Sequence, residues 1–170
     1  MHRLDPYAVS PKEMQELISL HAFLDASGLE ESLIELLRLH VSRLNGCMQG
    51  VRRHSRRASA LGETEARLAD LGAWRSAMSF TEKERVALEW AEAVTFLPRS
   101  HVSDDVQTAI RQWFTDIEIV KLTVTVAAMT AWNRVEMSFS RSQSDSEHLS
   151  QRHWGELRSN ACTPLSVEAK

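Results

Sequence analysis

The chain lacks any apolar stretch long enough to cross a bilayer. Its most apolar run, Ile117 to Trp132, carries Glu118 and Lys121 and falls short of the roughly 20 apolar residues a spanning helix needs. An apolar leader is also missing. The sequence opens MHRLDPYAVSPKEM, with Asp5 and Pro6 where a signal peptide places its apolar region, so a cytoplasmic location is expected. Cysteine is scarce. Cys47 and Cys162 do not make the even, closely spaced set of a disulfide-stapled secreted domain, and in a reducing compartment both are expected as thiols. A surplus of one charge is absent as well. With 20 basic and 23 acidic residues the formal net charge is -3, which offers no overall electrostatic case for a nucleic-acid partner or a membrane surface. No repeat of solenoid period is present.

The residues that are present predict a fold. Hydrophobic residues make up 43% and charged residues 25% of 170, too apolar for a disordered chain and enough for one core without disulfides or metals. Ser10 as N-cap, Pro11 at the first helical position and Glu13 placed for a capping box predict a helix from Pro11 to about Asp25. Met14, Leu17, Ile18 and Leu24 form its apolar stripe, which only His21 interrupts. A second helix is expected from about Glu30 to Leu44, with Leu33, Leu36, Leu37 and Val41 inward and Asn45-Gly46 as its stop. A third should run from about Cys47 to Leu61, and a short fourth from Glu65 to Trp74. Thr81 with Glu84 predicts a capping box and a helix to about Phe96, followed by Pro98. Ser103 and Asp104 open a shorter helix over Val106, Ile110 and Trp113. Thr115 with Glu118 is a third capping box, opening the longest helix, to about Phe139. Val120 to Val126 reads equally well as a strand because it alternates β-branched residues. Helix is preferred, because a cap precedes the run, Ala127, Ala128 and Ala131 continue it, and no second good strand exists to pair with.

The expected fold class is therefore all-α, an orthogonal bundle of six to seven helices over residues 1–140. Residues 141–170 are read as a polar, serine-rich C-terminal extension, with Trp154 and Leu157 as its evident anchors. Trp90, Trp113 and Trp132 fall in apolar stripes and are read as core or subunit-interface residues, and Trp74 in the same way.

Chemistry is concentrated between Glu35 and His54, ELLRLHVSRLNGCMQGVRRH. Cys47 falls in the first turn of a helix, where unpaired amides and the helix dipole favour negative charge and can lower a thiol below its usual value of about 8.5. The competing reading is a small buried cysteine filling space at a helix joint. His54 follows seven residues later, roughly 10 Å along the axis, beyond hydrogen-bond reach of Cys47. Gly50, in mid-helix, costs about 0.5–1 kcal/mol relative to alanine and needs a packing reason. Glu35 reads as a solvated-face carboxylate unless the helix-turn-helix turns it against the Cys47 helix.

These residues resemble the alkylhydroperoxidase D-like, carboxymuconolactone decarboxylase superfamily. The similar text is RLDPY near the start, SGLEESLIELLRLHVSRLNGC, LGETEARLADLGAWR, FTEKERVALEWAEAVT and AWNR, in order over residues 3–137. The resemblance implies an all-helical fold, a homotrimer or homohexamer, and, in the peroxidase branch, a Cys-x-x-Cys pair followed by a histidine. By position it makes Cys47 the first cysteine, His54 the histidine and Glu35 the proton-relay glutamate, all candidate catalytic residues. The second cysteine, the one usually assigned to attack the peroxide, falls on Gly50, and the residue before it is Gln49. The Asn133-Arg134 pair matches a family motif and is read as fixing helix ends or an interface.

With Gly50, Cys47 lacks a resolving thiol one helical turn away. Three readings follow. The first is a peroxidase-like oxidoreductase in which Cys47 takes a small hydroperoxide and is rescued by an external thiol reductant, or by Cys162 if the tail reaches it. The second is a non-redox enzyme of the decarboxylase branch that moves a proton with Glu35 and His54. The third is a non-catalytic binding or stress protein, with Arg52, Arg53, His54, Arg56 and Arg57 as a basic patch for an anion. No aromatic interleaving accompanies that patch, so a nucleic acid is not an expected partner, nor is a membrane. No cofactor and no metal are implied.

Overall fold

The structure is a computed structural model and describes residues 4–97 and 101–139. Eight α-helices and one 3-10 turn make up its elements, and no strand occurs among the described residues. In chain order they are α1 (Pro6–Val9), α2 (Pro11–Asp25), α3 (Glu31–Leu44), α4 (Met48–Ala60), α5 (Glu65–Asp70) with the 3-10 turn Leu71–Ala73, α6 (Glu82–Thr95), α7 (Asp104–Arg111) and α8 (Asp116–Phe139). The expected bundle is present, with one short helix more. That helix, α1, is built from Asp5, whose carboxylate accepts from the Tyr7 amide at 3.0 Å, and from Pro6 at its first position. The pair is a cap followed by a pre-set φ, which suffices to nucleate one turn.

The extra turn alters the start of α2. Ser10 already donates its backbone N–H to the Pro6 carbonyl at 2.9 Å, so the amide that Glu13 would take in a capping box is occupied. Ser10 makes no side-chain cap bond, and its hydroxyl donates to the Glu13 carboxylate instead. The capping boxes at Thr81–Glu84 and Thr115–Glu118 form as expected, each satisfying two orphan amides reciprocally.

The strand alternative for Val120 to Val126 is overturned, because the whole stretch lies inside α8. Its threonines are accommodated by bonding back along the helix, Thr123 Oγ1 to the Ile119 carbonyl at 2.7 Å and Thr125 Oγ1 to the Lys121 carbonyl at 2.8 Å. Such bonds satisfy the hydroxyl without unwinding the turn.

Helix α3 lies at the centre, packed against α4, α6 and α8, while α2 covers α8 and α7 bridges α6 and α8. Every residue of α3 from Leu33 to Ser42 is buried, so the helix has no solvated face. Around it Ile18, Leu88, Ile110, Leu122 and Trp132 close a single apolar core. Trp74 and Trp132 are buried, whereas Trp113 is 46% exposed and stands outside the core. Among the described residues no helix is long and apolar enough to cross a membrane. Pro98, Trp154, Leu157 and Cys162, with the 141–170 extension, lie outside the described residues.

Candidate functional site

The α3–α4 joint positions the site. Helix α3 ends in a Schellman motif: the Cys47 amide donates to the Ser42 carbonyl at 2.9 Å and the Gly46 amide to the Arg43 carbonyl at 3.0 Å. Gly46 takes the required left-handed conformation with φ 70°, which a side chain would resist. The residue after it, Cys47, is thereby delivered as the N-cap of α4, where its sulfur accepts from the Gly50 amide at 3.5 Å.

Reversal of the chain at this joint lays α4 against α3 and brings Glu35 to His54. The Glu35 Oε2 and His54 Nδ1 atoms are 2.7 Å apart. The other oxygen of Glu35 meets Arg38 at 3.0 Å and Arg57 at 3.5 Å. Glu35 is 1% exposed, so of its two readings the buried one holds: on a helix surrounded on all sides, no face is left for solvent. Burial alone would raise its pKa. The hydrogen bond from His54 and the charges of Arg38 and Arg57 outweigh burial and hold the carboxyl below its ordinary range. His54 is pushed down by burial, against the pull of Glu35 and with Arg53 and Arg38 adding to the fall. A neutral His54 facing a carboxylate donates Nδ1–H to it, which leaves Nε2 as the basic nitrogen. Arg38 also pairs with Asp25 at 2.5 Å, and His21 stands edge-on to Trp132 with ring centroids 5.4 Å apart.

Cys47 takes a different partner. Its thiol donates to Glu136 Oε2 of α8 at 3.4 Å, and Arg53, nearly two turns along α4, clamps the same carboxylate through both terminal nitrogens. The helix start was expected to lower the thiol pKa. Burial raises it, the neighbouring Glu136 charge raises it further, and the Gly50 amide and Arg53 only partly offset them, so the thiol stands at about 11. The amides of one helix terminus do not outweigh desolvation plus a touching carboxylate. Tyr7 of α1 shares this environment, and burial followed by the Glu136 charge holds its hydroxyl at about 12.

Gly50 has the packing reason that its mid-helix position demands. A Cβ placed on it would lie 2.5 Å from Ser42 Oγ, 2.9 Å from Asn133 Oδ1 and 3.0 Å from Ser42 Cβ. The site where a second thiol would begin is thus closed by a serine of α3 and an asparagine of α8. The Ser42 hydroxyl donates to the Arg38 carbonyl at 2.7 Å, with Asn133 Oδ1 at 3.5 Å. The basic run is largely spent within the protein: Arg53 on Glu136 and Arg57 on Glu35, while Arg52 and Arg56 also have partners.

Sequence reasoning missed Glu136, Arg38, Ser42 and Tyr7 as site residues. Glu136 and Arg53 lie 83 positions apart, and no local pattern joins them. Arg38 and Ser42 carried a faint signal as polar residues between the leucines of α3. Among the described residues, no group of three histidine, cysteine or acidic side chains could hold a metal ion.

The profile of the carboxymuconolactone decarboxylase family matches residues 11–93. A crystal structure of an Agrobacterium tumefaciens protein of unknown function, named as a candidate AhpD antioxidant defence protein, is 34% identical to this chain. It superposes with a TM-score of 0.80 over 84% of this chain and 97% of that one. The chain belongs to the carboxymuconolactone decarboxylase family. An uncharacterized Bacillus subtilis protein, YdfG, is 27% identical over 136 residues, 80% of this chain and 92% of its own length. The debrominase Bmp8 in complex with 2,3,4-tribromopyrrole superposes with a TM-score of 0.71 at 16% identity, over 84% of this chain and 77% of that one. At that identity the likeness is one of fold. The family relationship extends the match from the Cys47 hairpin to the α2–α6 framework that holds it.

Proposed function

We propose that this family member is a one-thiol, peroxidase-like oxidoreductase in which Cys47 reduces a small hydroperoxide and an external thiol restores it. The observation that supports this reading is that Glu35, Cys47 and His54 are all kept on the α3–α4 hairpin, with Glu35 paired to His54. The buried Glu35–His54 pair is closed at 2.7 Å, and Cys47 caps α4 with an amide on its sulfur. In the reaction the sulfur attacks the distal peroxide oxygen, an S–O bond forms and the O–O bond breaks. The thiol proton ends on the departing alkoxide, giving a sulfenic acid and an alcohol. A first external thiol then forms a mixed disulfide with release of water, and a second frees Cys47 as the external disulfide leaves. Glu35 orients His54, whose Nε2 can hold a proton or an ordered water during the exchange.

A second reading has its own support. A thiol held at about 11 is protonated at rest, whereas His54 is neutral and oriented, as a proton-transfer enzyme of the decarboxylase branch requires. Peroxide consumption with a dithiol reductant, followed with intact mass in wild type, Cys47→Ser and His54→Gln, separates the two. The first reading expects turnover and a sulfenic or mixed-disulfide adduct that vanish in Cys47→Ser. No peroxide turnover and no adduct at Cys47 would overturn it. Lactone or carboxylate turnover that survives Cys47→Ser and is lost in His54→Gln would establish the second.

We also propose assembly as a closed homotrimer or homohexamer. Ile117 at 69%, Val120 at 61% and Val124 at 37% exposure line one face of α8 at i, i+3 and i+7 spacing, an apolar row that a second copy of the chain would cover. Sedimentation as a monomer at micromolar concentration would contradict this.

A further inference from the structure

Glu136 is the only acidic group among the described residues that touches the Cys47 sulfur, and it comes from the far end of α8. Its Oε2 lies 3.4 Å from Cys47 Sγ, and Arg53 makes its contacts on the carboxylate. The Glu136 side chain is 9% exposed and that of Arg53 13%, while Arg53 also lies over the Trp132 ring at 5.7 Å. The carboxylate is therefore held in place by a packed guanidinium, and the sulfur meets the negative end of the pair. From the remaining elements around it, α3 offers Cys47 only the Ser42 carbonyl on its backbone amide. Helix α1 brings Tyr7, with Asp5 beside it, into the field of Glu136 and Arg53.

We infer that Glu136, positioned by Arg53, governs the Cys47 thiol: it keeps the proton on sulfur and turns away anionic electrophiles, so the site takes uncharged hydroperoxides. The inference rests on reading Cys47 as the reacting group. A carboxylate in contact with a thiol disfavours the thiolate by like charge, and in a site with little water that repulsion is weakly screened. The same repulsion acts on any anion approaching the sulfur, whereas a neutral molecule meets none. Burial and then the Glu136 charge raise the thiol, and Arg53 offsets them only in part. Glu136 is a positioning residue here, acting through the protonation state and field at the sulfur.

The test is the rate of alkylation at Cys47 as a function of pH, with neutral iodoacetamide and anionic iodoacetate, read by peptide mass so that Cys162 is scored separately. Wild type should react faster as pH rises through the whole accessible range and should prefer iodoacetamide. In Glu136→Gln the midpoint should fall by about one unit or more, with about a tenfold gain in rate at neutral pH, and the preference for the neutral reagent should narrow. Glu136→Asp should keep the wild-type profile. Restricted access to a buried sulfur scales all rates together and moves neither the midpoint nor the reagent ratio, so a merely structural role is distinguishable. An unchanged midpoint and ratio in Glu136→Gln, or slower alkylation, would overturn the inference. Should Glu136→Gln fail to fold, Arg53→Gln leaves the carboxylate without its cation and should widen the preference for iodoacetamide over iodoacetate at fixed pH, and an unchanged reagent ratio there would equally overturn the inference. The expected alkylation profile in a protein that turns over no hydroperoxide would support control by Glu136 while removing the oxidoreductase reading.

Discussion

The hydroxyl of Ser42 on α3 stands 2.5 Å from the point where Gly50 on α4 would carry a Cβ. The two helices meet there backbone to side chain, and Ser42 Cβ at 3.0 Å belongs to a rigid part of the neighbour, so a rotamer change alone does not clear the space. Gly50→Ala should therefore destabilise the protein by about 1–3 kcal/mol, even though alanine gains about 0.5–1 kcal/mol of helix propensity over glycine. Urea unfolding checks the sign, and Ser42→Gly in the Gly50→Ala background should recover part of the loss. By the same contact, Gly50→Cys alone should not restore a dithiol site, and mass analysis after oxidation should find no disulfide between Cys47 and the introduced thiol. A stabilised Gly50→Ala protein would show that the α3–α4 contact is looser than this geometry.

Glu35 neutralises a buried cluster, so its loss should be felt as uncompensated charge. Glu35→Gln leaves Arg57 and the donor of His54 without their carboxylate, a change of the kind that costs about 3–5 kcal/mol when one partner of a buried pair is removed. Arg38 keeps Asp25 at 2.5 Å, which limits the damage. Thermal unfolding should show a large loss, and adding His54→Leu should make the double variant less destabilised than the sum of the single ones. Strict additivity would mean that the 2.7 Å contact carries no coupling.

Two histidines outside the carboxylate pair set the acid limit of stability. Burial is the leading cause at both and lowers His21 to about 3 and His40 to about 4. A histidine whose folded pKa lies below its unfolded value binds its proton in the unfolded chain first. Its contribution is complete above about 6.5 and is lost as pH falls from there toward the folded value. Unfolding free energy should therefore decline on acidification from about pH 6.5, before the carboxylates titrate, with an uptake approaching one proton for each histidine by about pH 5. His40→Phe should reduce that slope by about one proton. A slope identical to wild type would mean that His40 protonates freely in the folded state.

Thiol chemistry at Cys47 should be alkaline. With the thiol at about 11, only about one molecule in ten thousand carries the thiolate at pH 7, and peroxide reduction through this sulfur should rise about tenfold per pH unit up to about pH 10. A pH–rate profile measured under excess reductant, with Cys47→Ser as background, reads this directly. A maximum near neutrality would contradict the protonated resting state.

Legibility varied with the range of the interaction. The caps at Thr81 and Thr115, the stop at Asn45-Gly46 and the all-helical class each depend on residues within about one turn of each other, and each is present. The box at Ser10 failed because an adjacent turn, at Asp5-Pro6, had already taken its amide. Glu35 could be read two ways, solvated or turned against the Cys47 helix, because its environment is set by the burial of α3 on every side, a property of the bundle and not of the helix's own stripe. The run of arginines looked like a surface patch because its acidic partners, Glu35 for Arg57 and Glu136 for Arg53, lie on other helices and leave no mark beside it.

Most helix boundaries from α3 onward, and the order of Glu35, Cys47, Gly50 and His54 along the helices, could be read from the chain alone, because capping and periodicity act through neighbours in the chain. What those residues are chemically was settled by packing. Burial and partners brought from other helices draw Glu35 to His54, place Glu136 on Cys47 and close Ser42 and Asn133 over Gly50. Protonation is set by desolvation and by charges within a few ångströms, and those distances exist only once the chain has folded.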